Sequence, residues 1–212
     1  MSKTGYFISI EGVEGVGKST ALLYIQTMLD DAGIDYVLTR EPGGTELAEK
    51  IREVLLNQHT EKLTDITELL LMFASRAQNV AQLVRPTLVG GKWVIADRFT
   101  DASFAYQGGG RGISMDVIKQ LAQLVQGDLT PNLTLLLDAP VAVGFARIAE
   151  RGAKDRIEVE KQAFFERVRQ QYLALAEKEP ERFRVISADK SIADVRDQLS
   201  CVLEPIIKAH CI

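Results

Sequence analysis

With 212 residues, 46% of them hydrophobic and 25% charged, the chain has the composition of a soluble globular protein, which excludes disordered and fibrous classes. That length favours one domain, spanning residues 1–212, and lets roughly 70% of the unfolded surface be buried without a disulfide or structural metal. Lys+Arg 25 against Asp+Glu 29 gives a net charge of -4. A general binder of nucleic acid or of an anionic membrane would carry a basic stripe, so neither partner is expected; a small phosphate-bearing ligand needs only a local positive pocket.

In chain order, Tyr6–Ile10 is a short β-rich run that meets a glycine-rich turn at Gly12. It stops at Glu11, short of a signal-peptide core, and the later run Leu69–Ala74 is too short to span a bilayer. From Lys18 the pattern turns helical, with Leu22, Ile25 and Leu29 on one side and Gly33 at the end. Asp35–Thr39 reads as a second strand. A helix over Leu47, Ile51 and Val54/Leu55 follows, with Thr45 as its N-cap and Glu46 and Glu49 in its first turns.

A longer helical stretch covers about 64–88, where Pro86 is expected to kink or terminate it. Trp93–Asp97 and Leu133–Asp138 are continuous apolar runs ending in aspartate, as suits strands covered on both faces of a parallel sheet. Val185–Ser187 is a weaker fifth strand, followed by a helix over Ile192, Val195, Leu199, Val202 and Leu203. The alternation predicts a three-layer α/β fold with a five-stranded parallel sheet and helices on both faces. Ligands in such sheets sit at the carboxyl ends of the strands. Cys201 and Cys211 form no CxxC or Cys/His cluster and read as thiols in a reducing cytosol, so the expected compartment is cytoplasmic.

Gly12-Val13-Glu14-Gly15-Val16-Gly17-Lys18-Ser19, followed by Thr20, fits the phosphate-binding loop pattern G-x-x-x-x-G-K-[ST] between a strand and a helix. Glycines let backbone N–H groups turn inward around an anion, and the helix presents its positive N-terminus. Lys18 would reach the β- and γ-phosphates of a nucleoside triphosphate, and the Ser19 hydroxyl would hold Mg²⁺. No N-K-x-D guanine reader occurs, and Val13 and Glu14 stand where partition ATPases carry an extra lysine. A small kinase with a small acceptor remains.

Thr39–Thr45 (TREPGGT), Asp97–Phe99 (DRF), Ala105–Gly112 (AYQGGGRG) and Arg151–Glu158 (RGAKDRIE), in this order and spacing, resemble the bacterial thymidylate kinase family over nearly the whole chain. The resemblance implies a P-loop NTPase fold, transfer of the ATP γ-phosphoryl group to dTMP in dTTP biosynthesis, and a homodimer formed through helices. It also implies that Arg98 grips the dTMP phosphate, with Arg40 a second candidate, and that Asp97 orders the Mg²⁺ shell directly or through water. Glu41-Pro42, the latter followed by two glycines, is either a cis peptide close to the ligand or a plain turn. Glu14 falls where relatives carry an acid near the sugar 3′-OH or the metal. Arg76 matches the arginine that reads the base edge, with Ser103 and Gln107 nearby, and Tyr106 the tyrosine under the sugar, which disfavours a ribose 2′-OH. Where relatives place a phenylalanine four residues before that arginine, this chain has Met72, with Phe73 next to it. The two point about 100° apart on a helix, so either Met72 covers the thymine face or Phe73 reaches it from another angle. Gly108–Gly110 with Arg111 is expected to be a mobile turn.

Arg147, Arg151, Gly152, Lys154 and Arg156 suit a lid over ATP at about 147–158. The phosphate-loop position where some thymidylate kinases carry an arginine is Gly15, so the lid must supply the positive charge, in the order Arg151, Arg156, Arg147. Two other readings stay open: a nucleoside kinase with Glu11 or Glu41 as base for a 5′-hydroxyl, and a nucleotide-dependent switch without phosphoryl transfer.

Overall fold

The computed structural model describes residues 5–149, 156–158 and 160–210. Among them, strands β1 (Phe7–Glu11), β2 (Tyr36–Arg40), β3 (Trp93–Asp97), β4 (Leu133–Asp138) and β5 (Phe183–Ser187) form one all-parallel sheet in the order β2-β3-β1-β4-β5. The chain winds to one side of β1 with β2 and β3 and to the other with β4 and β5. The carboxyl end of β1 therefore lies at the centre of the sheet edge where ligands gather.

Every residue of β1 is buried, the polar Ser9 and Glu11 included, as suits the central strand of a covered parallel sheet. Ile8 and Ile10 face a core shared with Ile25 and Leu29 of α1 (Lys18–Asp31) and Leu199 and Leu203 of α9 (Ile192–His210). Phe7 points the other way, towards Val80, Val84, Val94 and Phe99. Ser9 shares the Phe7 face, and its hydroxyl bonds that of Thr134 at 3.0 Å, so even the polar position inside the sheet is satisfied.

Helix α2 (Glu46–Leu56) starts at Thr45, whose hydroxyl accepts the Ala48 N–H. The stretch expected as one helix is α3 (Asp65–Asn79), a π-helical turn at Val80–Val84, and α4 (Arg85–Val89). Pro86 ends up in the first turn of α4, where it lacks only an N–H that has no partner within that helix. After β3 come α5 (Thr100–Ser103) and a second π-helical turn, Phe104–Gly110. Two helices that the sequence reading leaves out, α6 (Met115–Gln126) and α8 (Gln162–Lys178), follow on either side of β4 and α7 (Val141–Ala149).

The expected mobile turn at Gly108–Gly110 is instead packed helix. A Cβ on Gly109 would lie 2.6 Å from the Cβ of Gln171, and one on Gly110 2.5 Å from a ring carbon of Phe164. The glycines are there because α8 presses on this turn, and Arg111 at its end is stacked over Phe164 at 4.6 Å.

Candidate active site

Beyond the carboxyl ends of β1 and β3 lies a cleft of about 480 Å³. The loop after β1 forms one wall. Gly12, Gly15 and Gly17 all have left-handed φ, the backbone that turns N–H groups inward. Val13 and Val16 are buried in the core, so they contribute backbone to the cradle and apolar side chains to its anchorage. Glu14, Lys18, Ser19 and Thr20 line the cleft. The Lys18 ammonium donates to the carbonyls of Gly12 at 3.1 Å and of Val13 at 2.9 Å. Burial, reinforced by nearby Arg98, pulls its pKa down to about 8.

Opposite the loop, Arg98 follows β3 with φ 73°, the one left-handed non-glycine residue among those described. Its Nη2 donates to Glu14 Oε1 at 2.9 Å and its Nη1 to the Tyr172 hydroxyl at 3.2 Å. The guanidinium lies 4.6 Å above the Tyr106 ring, and the Tyr106 hydroxyl donates to Glu14 Oε2 at 2.7 Å. Four residues from distant segments thus form one unit, with Glu14, Arg98 and Tyr106 lining the cleft and Tyr172 behind them. Asp97 lines the same cleft, and its Oδ1 is buried without a hydrogen-bond partner.

Deeper in the cleft, Arg76 is 2% exposed and held on three sides. Nε donates to Glu41 Oε2 at 2.6 Å, and Nη2 donates to the Phe99 carbonyl at 3.2 Å and to Ser103 Oγ at 3.0 Å. Its Nη1 is a buried donor with no partner. Burial raises the pKa of Glu41, an effect that Arg76 and Asn79 partly offset. The Glu41-Pro42 peptide is cis, and both residues line the cleft. Ser103, Tyr106 and Gln107 line it too, and Gln107 donates to Glu68 at 2.9 Å.

The structure separates the two residues left open on α3. Met72 lines the cleft, whereas Phe73 turns into the core with Leu69 and Ile118 and supports the Arg76 guanidinium at 4.6 Å. Phe73 does not reach the cleft. Nor does Arg40: it pairs with Glu49 at 2.7 Å on the surface, because the short α2 acid lies within its reach and the cleft does not.

Of the arginines expected in a lid, Arg147 lines the cleft and donates to the carbonyls of Gly15 (3.3 Å) and Ala188 (3.2 Å). Arg156 points elsewhere, donating to Glu68 Oε2 at 2.6 Å and to the Leu55 carbonyl at 2.7 Å. Arg151 lies outside the described residues, as do Gly152 and Lys154. Burial works against the charge of Glu68, yet hydrogen bonds from Arg111, Gln107 and Arg156 pull its pKa below the ordinary carboxylate value.

Sequence reasoning missed three parts of this region. Glu68 sits in the first turn of α3, and Tyr172 lies on α8. A second cleft of about 270 Å³ flanks the loop, walled by Tyr24, Arg147, Lys190 and Arg196. Its only sequence signal is basic residues after the last strand.

Comparison with known proteins agrees with this geometry. A profile of the thymidylate kinase family matches residues 10–199. The thymidylate kinase of Ectopseudomonas mendocina is 52% identical over 206 residues, 97% of this chain and 98% of the relative. That of Pseudomonas putida F1 is 53% identical over 205 residues, covering 97% and 98%. The crystal structure of thymidylate kinase from Ehrlichia chaffeensis superposes with a TM-score of 0.75 at 34% identity, covering 95% of this chain and 99% of that one.

Proposed function

The chain belongs to the thymidylate kinase family, and from that premise we propose that it transfers the γ-phosphoryl group of ATP to dTMP, giving dTDP and ADP for dTTP synthesis. The observation that carries the reading is the meeting of two cationic sets across one cleft: Lys18 of the phosphate loop, and Arg98 with Arg76 beyond it.

The acceptor is a phosphate oxygen already ionised at neutral pH, so the reaction needs positioning and charge neutralisation rather than a general base. Both carboxylates weighed as base for a 5′-hydroxyl are engaged by the protein. Glu11 accepts from the Phe99 N–H and the Tyr172 hydroxyl, each at 2.7 Å, and Glu41 accepts from Arg76 and Asn79. That occupancy argues against a nucleoside kinase.

On the donor side, Lys18 exchanges the Gly12 and Val13 carbonyls for β- and γ-phosphate oxygens, which restores the charge that burial disfavours. The purine of ATP has room in the second cleft, between Arg147, Arg196 and Tyr24. Arg98 holds the acceptor phosphate in a bidentate grip, with Glu14 oriented towards the sugar. Tyr106, fixed by Glu14 below Arg98, closes the space that a ribose 2′-hydroxyl needs. Arg76 directs its free Nη1 at the base edge, beside Ser103 and Gln107, while Met72 covers the base face.

For Mg²⁺ the fit rests on Asp97 Oδ1, a buried acceptor without a partner, and on the Ser19 hydroxyl in the same cleft. One carboxylate, one hydroxyl and substrate phosphates make an ordinary Mg²⁺ donor set, and the ion would supply neutralising charge between the phosphates. The chain is read as one kinase domain whose segment 147–158 closes over ATP, with Arg151 the proposed carrier of charge in the transition state. Apolar Leu47 and Val54 on α2, Ile66 and Leu70 on α3, and Val117 and Leu124 on α6 are exposed on helices that pack side by side. They support a homodimer through these helices. The cytoplasm is the proposed compartment because both nucleotides are supplied there.

An assay coupled to ADP release, run with dTMP, thymidine, dUMP, dCMP and dAMP, tests the proposal. Fast turnover on dTMP and none on thymidine is expected. Turnover on thymidine with silence on dTMP would overturn it.

A further inference from the structure

Arg98 combines two costly features. Its left-handed backbone disfavours any residue with a Cβ. Its guanidinium is also mostly buried, 16% exposed, in a site meant for a mobile substrate. Such a conformation persists only where surrounding bonds over-determine it.

The last two residues of β1 supply those bonds. The Arg98 N–H donates to the Ile10 carbonyl at 3.0 Å, and the next N–H, that of Phe99, donates to Glu11 Oε1 at 2.7 Å. The other Glu11 oxygen accepts the Tyr172 hydroxyl proton at 2.7 Å, and the same hydroxyl accepts from Arg98 Nη1 at 3.2 Å. A closed circuit runs from the backbone after Arg98, through Glu11 and Tyr172, back to the tip of the Arg98 side chain.

We propose that Glu11 and Tyr172 are positioning residues for phosphoryl transfer, a latch that fixes both the backbone and the guanidinium of Arg98. The proposal rests on the assignment of Arg98 to the acceptor phosphate. Glu11 is fully buried, Tyr172 is 1% exposed, and neither lines the cleft, so both act through Arg98 rather than on substrate. This distinguishes them from Glu14, which holds Arg98 Nη2 from within the cleft and faces the substrate directly. When an acceptor phosphate competes with Glu14 for the guanidinium, the latch keeps Nη1 anchored and the fork aimed. Because Glu11 directly precedes Gly12, one residue ties the acceptor arginine to the base of the donor loop.

The test is steady-state kinetics on Tyr172→Phe, which deletes one oxygen and keeps the buried ring, and on Glu11→Gln, each alone and in an Arg98→Ala background. The latch predicts that Tyr172→Phe lowers kcat/KM for dTMP about tenfold while KM for ATP is unchanged. It predicts no further loss when Tyr172→Phe is added to Arg98→Ala, since there is then nothing to aim. A raised KM for ATP, no loss for dTMP, or full additivity with Arg98→Ala would overturn the latch. If Arg98→Ala alone leaves dTMP kinetics intact, the acceptor assignment falls and the latch with it. Should Glu11→Gln fail to fold, Tyr172→Phe decides the matter alone.

Discussion

The two sides of the cleft are finished to different degrees. On the acceptor side the donors are already aimed and locked: Arg76 by Glu41, Phe99 and Ser103, Arg98 by Glu14 and Tyr172. On the donor side the cations are spent on the protein itself. Lys18 bonds two carbonyls of its own loop, Arg147 bonds Gly15 and Ala188, and Arg156 bonds Glu68 and Leu55. On the proposed reading, acceptor binding exchanges one bond, that of Arg98 to Glu14, while Arg76 Nη1 is already free, whereas Lys18 and Arg147 must each leave two protein carbonyls when ATP arrives. On that reading the cost of ordering is met mostly during folding on one side and during each catalytic cycle on the other.

That contrast can be broken by substitution. Lys18→Ala should lower turnover by about 10³-fold, as loss of a charge in the transition state does, with thermal stability preserved because a desolvated cation is removed. Arg76→Ala should instead cost stability, roughly 3–5 kcal/mol, because Glu41 loses the partner that offsets its burial. Activity assays paired with thermal melts check both. A Lys18 variant that unfolds, or an Arg76 variant as stable as the parent, would erase the distinction.

A smaller effect sharpens it. Burial, then the charge of Asp101, pushes Glu11 up to about 8 from an ordinary 4.5, against the pull of Arg98 and Tyr172. Between those values the folded chain binds more protons than the unfolded one. The contribution of Glu11 to stability is therefore full below pH 4.5 and is lost as pH rises through about 8. Melting temperature should fall more between pH 5.5 and 8.5 in the parent than in Glu11→Gln, with parallel curves contradicting the shift.

How much of this was legible in the sequence follows from the range of the interactions. The phosphate loop is local: Gly12 to Ser19 is one contiguous run, and β3 and β4 are largely apolar runs. Met72 and Phe73 were not separable, because both fit a helix and only packing against Ile118 of the undrawn α6 turns Phe73 inward. Glu11 ends an apolar strand and reads as a boundary, since its partners are 88 and 161 residues away. The glycines before Arg111 suggest flexibility until α8, whose side chains fill the space their missing Cβ atoms leave, is in view. Local chemistry was readable, and the long-range partners that make it rigid were not.

Calorimetric titration of dTMP into the nucleotide-free enzyme tests the central claim most directly. An acceptor site assembled by folding predicts saturable dTMP binding with a stoichiometry of about one per chain before any ATP is present. No dTMP binding until a non-hydrolysable ATP analogue is added would show that the acceptor side, too, is assembled only by its substrates.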